Sequence, residues 1–251
     1  IRDRLRGGSG AMLDLNPRSI LAEHFVALID AAMDRQAERR RDYLGGSSIG
    51  EPCARRLQYE YRGTPMNGGA AYPPPPRRIF HRGHQGEEWV IQWMRDAGFN
   101  VRTRGKDGRQ FGFDDCDGRF KGHIDGVVVE GPEGFKYPAL FENKVLGSKG
   151  FAQLVKHGIA KAYPKYAAQV ATYQAYMRLA ENPAFFVALN ADTMELHLEL
   201  VKFNAALAQE CADKAARVLT ACDHSEQLPR IAESADSFAC KFCPFRSRCW
   251  S

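Results

Sequence analysis

The 251-residue sequence has no apolar run approaching the roughly 20 residues that a bilayer-crossing helix needs. Its first residues contain no signal-peptide-like apolar stretch. A membrane-embedded or secreted protein is therefore not expected, and a cytoplasmic location is. No segment fits Gly-x4-Gly-Lys-[Ser/Thr], which excludes a P-loop nucleotide-driven motor. No period repeats, which excludes a solenoid or propeller. Charge of neither sign dominates: 35 Lys and Arg stand against 30 Asp and Glu, a net charge of +5. That mild basic bias suits a polyanionic partner without identifying one. Cysteines number seven, an odd count without a secretion signal, so a disulfide framework is not expected.

What is present is ordinary globular material, 44% hydrophobic and 26% charged, long enough to bury a large core without staples. Residues 1–16 read as a basic, flexible lead-in in which GGSGAM resembles an artificial linker. Ile20, Leu21, Phe25, Leu28, Ile29 and Met33 recur at helical spacing and predict a helix within 17–41. Ser47 and Ser48 precede a second helical stretch, PCARRLQYEYRG, closed by Gly63. Residues 64–78 form a Gly/Pro-rich loop whose proline run is expected to be extended rather than helical. The spacing then predicts an amphipathic helix over 83–98, with Trp89, Val90, Trp93 and Met94 buried.

Strand-like patterning runs from 100 to 129, ending in HIDGVVV, and a second strand follows in YPALFENKVL. Helices are expected at 150–162 and 164–180, strands at 184–190 and 194–201, and a helix over 204–223 before a cysteine-rich tail. The order of elements is mixed α/β.

Asp125 interrupts HIDGVVV, and Glu142 and Lys144 share one face of the next strand because side chains alternate with period two. A hairpin would bring Asp125 beside them. Two carboxylates at strand ends suit a hard divalent cation such as Mg²⁺ or Mn²⁺, and a lysine beside it suits a phosphodiester substrate. Read alone, the same three residues also describe a solvent-facing ion pair on a hairpin. An unpaired carboxylate inside an apolar strand would be costly, which favours the first reading. His84, read at the start of its helix with Glu87 one turn later, could add an imidazole ligand. Gln169 and Tyr173 share a face of the 164–180 helix.

In that order, His84, Asp125, Glu142-Asn-Lys144 and Gln169-Val-Ala-Thr-Tyr173 resemble the successive motifs of the RecB-like nucleases of the PD-(D/E)XK superfamily. The match covers roughly residues 80–180, with Ile124 standing where the superfamily name has proline. The resemblance implies a restriction-endonuclease-like α/β core, a central mixed β-sheet flanked by helices. It implies His84, Asp125, Glu142 and the main-chain carbonyl of Asn143 as metal ligands, Lys144 as catalytic, and Gln169 and Tyr173 as a further catalytic motif.

Cys240-x2-Cys243-x5-Cys249 closes the chain, and a site made of cysteines alone usually needs four. Cys53 is the best fourth member; Cys116, Cys211 and Cys222 are alternatives that read more simply as ordinary thiols. Spacing alone leaves zinc as the natural occupant. One cysteine before the nuclease core and three after it resembles instead the iron–sulfur subgroup of RecB-like nucleases, including the AddB nuclease domain and CRISPR-associated exonucleases. CARRLQYEYRG resembles their segment around the first cysteine. This implies a structural 4Fe-4S cluster on Cys53, Cys240, Cys243 and Cys249, joining the N- and C-terminal regions.

The expected organisation is a lead-in (1–16), an N-terminal helical region (17–79), a nuclease core (80–223) and a cluster-binding tail (224–251). The expected activity is metal-dependent hydrolysis of DNA, as an exonuclease on single strands or ends, in recombination, repair or CRISPR spacer processing. Unwinding would come from a helicase partner; an integrase-type partner and a homo-oligomer are compatible with the resemblance. The alternatives are a nuclease-fold DNA-binding or assembly subunit that does not cut, and a zinc-bearing interaction module.

Overall fold

The computed structural model describes residues 20–35, 41–67 and 74–251. The lead-in expected over 1–16 and the middle of the 64–78 loop lie outside the described residues. The chain divides into two units, 1–39 and 40–251. In the first, α1 (Ile20–Arg35) is the helix that the apolar spacing predicts. The second unit carries all the candidate site residues.

The apolar run AFFVALN is buried along its whole length as β7 (Ala184–Asn190), because both of its faces are covered. Ala184, Phe186 and Ala188 enter one core, and Phe185, Val187 and Leu189 another. β7 runs parallel to β6 (Ala139–Leu146). A parallel neighbour requires a crossover, which α4 (Ser148–Ala162) and α5 (Pro164–Tyr176) supply. They cover the first core with Leu154, Ile159 and Val170. α3 (Pro74–Asp96) covers the second with Val90 and Ile91. β2 (Asn100–Arg102), β5 (Gly126–Glu130) and β8 (Leu196–Val201) complete a five-stranded sheet of order β2-β5-β6-β7-β8, antiparallel except at β6–β7.

A second sheet has the order β1 (Leu44–Gly45), β4 (Phe120–His123), β3 (Gly112–Asp115). Leu44 and Phe120 from this sheet, Leu57 from α2 (Ala54–Arg62) and Val218 from α6 (Ala205–Asp223) share a third core. Cys53 is the N-cap of α2, and Gly63 ends it in the left-handed conformation (φ 64°) that glycine adopts without strain. Asn204 caps α6 by accepting the Leu207 N–H at 3.0 Å. Two short helices, α7 (Phe238–Lys241) and α8 (Arg246–Trp250), finish the chain. The result is the mixed α/β layout expected, a central mixed sheet flanked by helices. Among the described residues, no helix is long and apolar enough to cross a membrane.

Three local expectations are corrected. The proline run is not extended throughout: Pro74–Pro76 form the first turn of α3, where the N–H groups that proline lacks would have no helical partner anyway. Trp89 and Trp93 are not buried, at 45% and 39% exposure, whereas Val90 and Ile91 are. The reason is Gly86: a Cβ there would lie 2.5 Å from Val145 Cγ2 and 3.2 Å from Leu189 Cδ2. The helix therefore meets the sheet along 86 and 90, and residues 89 and 93 turn to its flank. Finally, HIDGVVV is not one strand. His123 ends β4 in the small sheet and Gly126 begins β5 in the large one, so Ile124 and Asp125 bridge the two.

Candidate active site

The bridge sets the geometry of the acidic residues. β5 pairs with β6 only as far as Gly126 opposite Phe141. Beyond that point β6 continues without β5, and the Asp125 side chain takes the place of a strand: its Oδ2 accepts the Asn143 N–H at 2.7 Å. A strand residue directs its N–H and C=O to the same side, so the Asn143 carbonyl faces the gap that β5 leaves. The Asn143 side chain donates to the Val187 carbonyl at 3.1 Å.

Glu142 and Lys144 project from the α4/α5 face of β6. Glu142 is wholly buried. Its Oε1 accepts from Lys144 Nζ and from Gln169 Nε2 of α5, while its Oε2 is buried with no protein partner. Lys144 Nζ also lies 5.3 Å over the Tyr166 ring, a cation–π contact. Tyr173 is only 2% exposed. Its ring fits between strands because Gly46 and Gly122 lack side chains; a Cβ on either would approach Tyr173 Cε1 to 2.8 or 2.6 Å. Burial, then the nearby charges of Glu142 and Asp125, pushes its phenol far above the usual range.

From the other face, α3 presents His84 and Glu87. His84 sits three turns into the helix rather than at its start, and is exposed; Glu87 is half-buried. Close packing at Gly86 holds both near the gap.

The electrostatics show crowding. Burial, then repulsion from Asp125, pushes Glu87 up to about 7 and Glu142 up to about 8. Burial likewise raises Asp125, against the opposing pull of Lys144, the Asn143 N–H and His84. Burial works against a charged Lys144, but Glu142 and Asp125 outweigh it and hold the ammonium protonated. Three crowded carboxylates thus share one lysine, a set that lacks positive charge. Hard oxygen donors, with the buried Glu142 Oε2 and Asn143 Oδ1 left without partners, fit a divalent cation in chemistry. The side chains do not yet close on a point: among the described residues, no three His, Cys, Asp or Glu are placed to hold a metal ion.

Cys53, Cys240, Cys243 and Cys249 line a single small, partly enclosed cavity. Arg55, Arg56, Arg230 and Arg246 also line it. Arg55 Nη1 donates to Cys249 Sγ at 3.6 Å, and Arg230 donates twice to the Cys249 carbonyl, at 2.9 and 2.7 Å. Arg230 also stacks over Trp250 at 4.5 Å. Burial pushes the Cys53 and Cys243 thiols up. Four thiols ringed by cations fit a thiolate-ligated metal centre in chemistry. Cys116, Cys211 and Cys222 do not line this cavity; Cys211 is packed in the third core.

Sequence reasoning noted Glu87 one turn from His84 without giving it a role, and left out Tyr166, whose signal was its spacing one turn from Gln169.

No protein-family model matches the chain, and no curated protein matches its sequence. Solved structures do resemble it. An alkaline exonuclease (LHK-Exo) from Laribacter hongkongensis superposes with a TM-score of 0.51 at 16% identity, over 74% of this chain and 90% of that one. The same exonuclease in complex with dAMP gives 0.53 at 17%, with the same coverage. SSO0001 covers 90% of this chain and 95% of its own at a TM-score of 0.47 and 15% identity. At these identities the exonuclease likeness is one of fold: the chain has the α/β fold of that alkaline exonuclease.

Proposed function

We propose that this chain is a divalent-cation-dependent deoxyribonuclease of the PD-(D/E)XK, RecB-like type, acting as an exonuclease on single strands or DNA ends. The observation that carries the reading is the meeting of Asp125, Glu142 and Lys144 where β5 leaves β6, with a buried Glu142 oxygen lacking any partner. The exonuclease fold supports it.

Asp125 and Glu142 would hold the cation, with His84, Glu87 and the Asn143 carbonyl completing its shell. When bound, that ion supplies charge neutralisation at the phosphodiester and acidifies a water. The chain's own residues do the rest. Gln169 fixes the Glu142 carboxylate by a hydrogen bond from α5. Lys144, kept protonated between Glu142 and the Tyr166 ring, turns its ammonium charge toward the attacked phosphate or its incoming water. Water adds to phosphorus and gives up one proton to solvent, the P–O bond to the leaving sugar oxygen breaks, and that oxygen takes up a proton from solvent.

Cys53, Cys240, Cys243 and Cys249 would ligate a 4Fe-4S cluster, which supplies a covalent clamp between α2 and the tail; a structural zinc is the competing occupant.

Anaerobic purification, metal analysis and cleavage of labelled oligonucleotides with Mg²⁺ or Mn²⁺ test both parts. The expected result is a brown protein with iron and sulfide that cuts DNA, and that stops cutting but keeps its spectrum in Lys144→Ala. A colourless zinc protein would overturn the cluster assignment. Undiminished cutting by Lys144→Ala would overturn the active site.

A further inference from the structure

The cysteine cavity and the carboxylate site lie on different elements, but one buried carboxylate touches the support of both. Glu51, two residues before Cys53, is only 8% exposed. Its Oε1 accepts the Cys53 N–H at 3.5 Å. Its Oε2 accepts from Lys165 Nζ of α5 and pairs with Arg56 Nη1 of α2 at 3.1 Å. Arg56 in turn lines the cysteine cavity. Lys214 of α6 secures the same segment, donating to the Ile49 and Glu51 carbonyls at 3.1 and 3.3 Å.

The contact with α5 is close as well as charged. A Cβ on Gly50 would lie 2.7 Å from both the Cα and the carbonyl oxygen of Lys165, and 2.9 Å from Ala168 Cβ. Segment 49–51 is therefore pressed flat against the first turn of α5. That turn leads directly into the active site: Tyr166, the next residue, carries Lys144 over its ring, and Gln169, one turn on, binds Glu142.

We propose that Glu51 is a positioning residue that ties the four-cysteine site to the catalytic strand, so that an occupied cysteine cavity sets α5 and α5 sets Glu142 and Lys144. The link rests on the nuclease reading above. Its logic is mechanical. Ligation fixes Cys53, Glu51 passes that fixation to Lys165, and α5 holds the two side chains whose placement governs cation binding and phosphate attack. Without the link, α5 still packs through its apolar residues but loses the ionic register of its first turn.

The test uses the full chain in its cluster-loaded form, with Glu51→Gln and Lys165→Met as separate variants. Iron content and the visible spectrum report the cysteine site. Electron paramagnetic resonance of free Mn²⁺ reports cation affinity, and single-strand cleavage gives kcat and KM separately. Both variants are expected to keep the spectrum and a cooperative melt. Mn²⁺ affinity and kcat should fall by about three- to tenfold with KM little changed, the size of coupling found within one polar network. In a Cys53→Ala background, Glu51→Gln should add little further loss of Mn²⁺ affinity, because the two act through one path. If Cys53→Ala does not fold, the first two variants decide. A folded Glu51→Gln protein with Mn²⁺ affinity and kcat within about twofold of the parent overturns the link, as do strictly additive losses. A parent that neither binds Mn²⁺ nor cuts overturns the nuclease reading and the link with it.

Discussion

Glu142→Gln should make the cation-free protein more stable while abolishing its cutting. Glu142 is wholly buried, its proton affinity raised from the ordinary 4.5 to about 8 by burial and by Asp125. The folded carboxyl thus holds its proton more tightly than the unfolded chain does. Stability is then lost as pH rises from about 4.5 toward 8, at about 1.36 kcal/mol per pH unit. At pH 7 the accumulated penalty is about 3 kcal/mol. The amide has the shape of the protonated acid, so the substitution removes this penalty. Its NH₂ group can also take the place of the orphaned Oε2. For a unit of this size, about 3 kcal/mol corresponds to a Tm rise of about 6–12 °C.

The assay is thermal melting without divalent ions from pH 5 to pH 8, then with Mn²⁺. The two proteins should melt nearly together at pH 5, and the variant should pull ahead as pH rises. Mn²⁺ should then stabilise the parent more than the variant. Equal melting at pH 7, or equal stabilisation by Mn²⁺, would refute the claim that crowded carboxylates store a charge deficit for a cation.

Gly86→Val places methyl groups against Val145 and should cost about 1–3 kcal/mol. Because α3 carries His84 and Glu87, Mn²⁺ affinity should fall while the iron spectrum is unchanged; a retained affinity would detach α3 from the cation site. Tyr173→Phe removes one buried hydroxyl beside the carboxylate cluster, so stability should change by about 1 kcal/mol or less and cleavage by less than about tenfold. A loss of cleavage as deep as that of Lys144→Ala would instead give the phenol a chemical role. Arg55→Met removes the donor to Cys249 and one cavity cation, so a bound cluster should shift to a more negative reduction potential, as seen by spectroelectrochemistry. An unchanged potential would sink that reading.

Much of this was legible in the sequence, for identifiable reasons. Period-two alternation is rigid, so Glu142 and Lys144 had to share a face. The fully apolar AFFVALN reads as a strand buried on both sides, which is what β7 is. Turn chemistry fixed the ends of α2 and α6 through Gly63 and Asn204. What escaped was decided by tertiary contacts. The outward turn of Trp89 and Trp93 follows from the fit of Gly86 on Val145, a contact that no local pattern encodes. The break at Asp125 follows from the chain changing sheets, whereas HIDGVVV has the composition of one strand. Glu87 was noted only as a neighbour of His84 and Tyr166 lay one helical turn from Gln169, but only the sheet packed between α3 and α5 brings both to the same gap.

Asp125 stands at the seam between the two sheets, and that has a consequence for biosynthesis. The acidic pocket needs the seam, the far end of β6, the crossover helix and α3 all in place, so no fragment of the fold owns it. The cysteine cavity is stricter still, since Arg55 and Cys53 meet Cys249 only after a further 194 residues have followed Arg55. On the proposed reading, a chain in which these segments have not yet met offers a cation only part of its acidic ligand set and a cluster only part of its thiols.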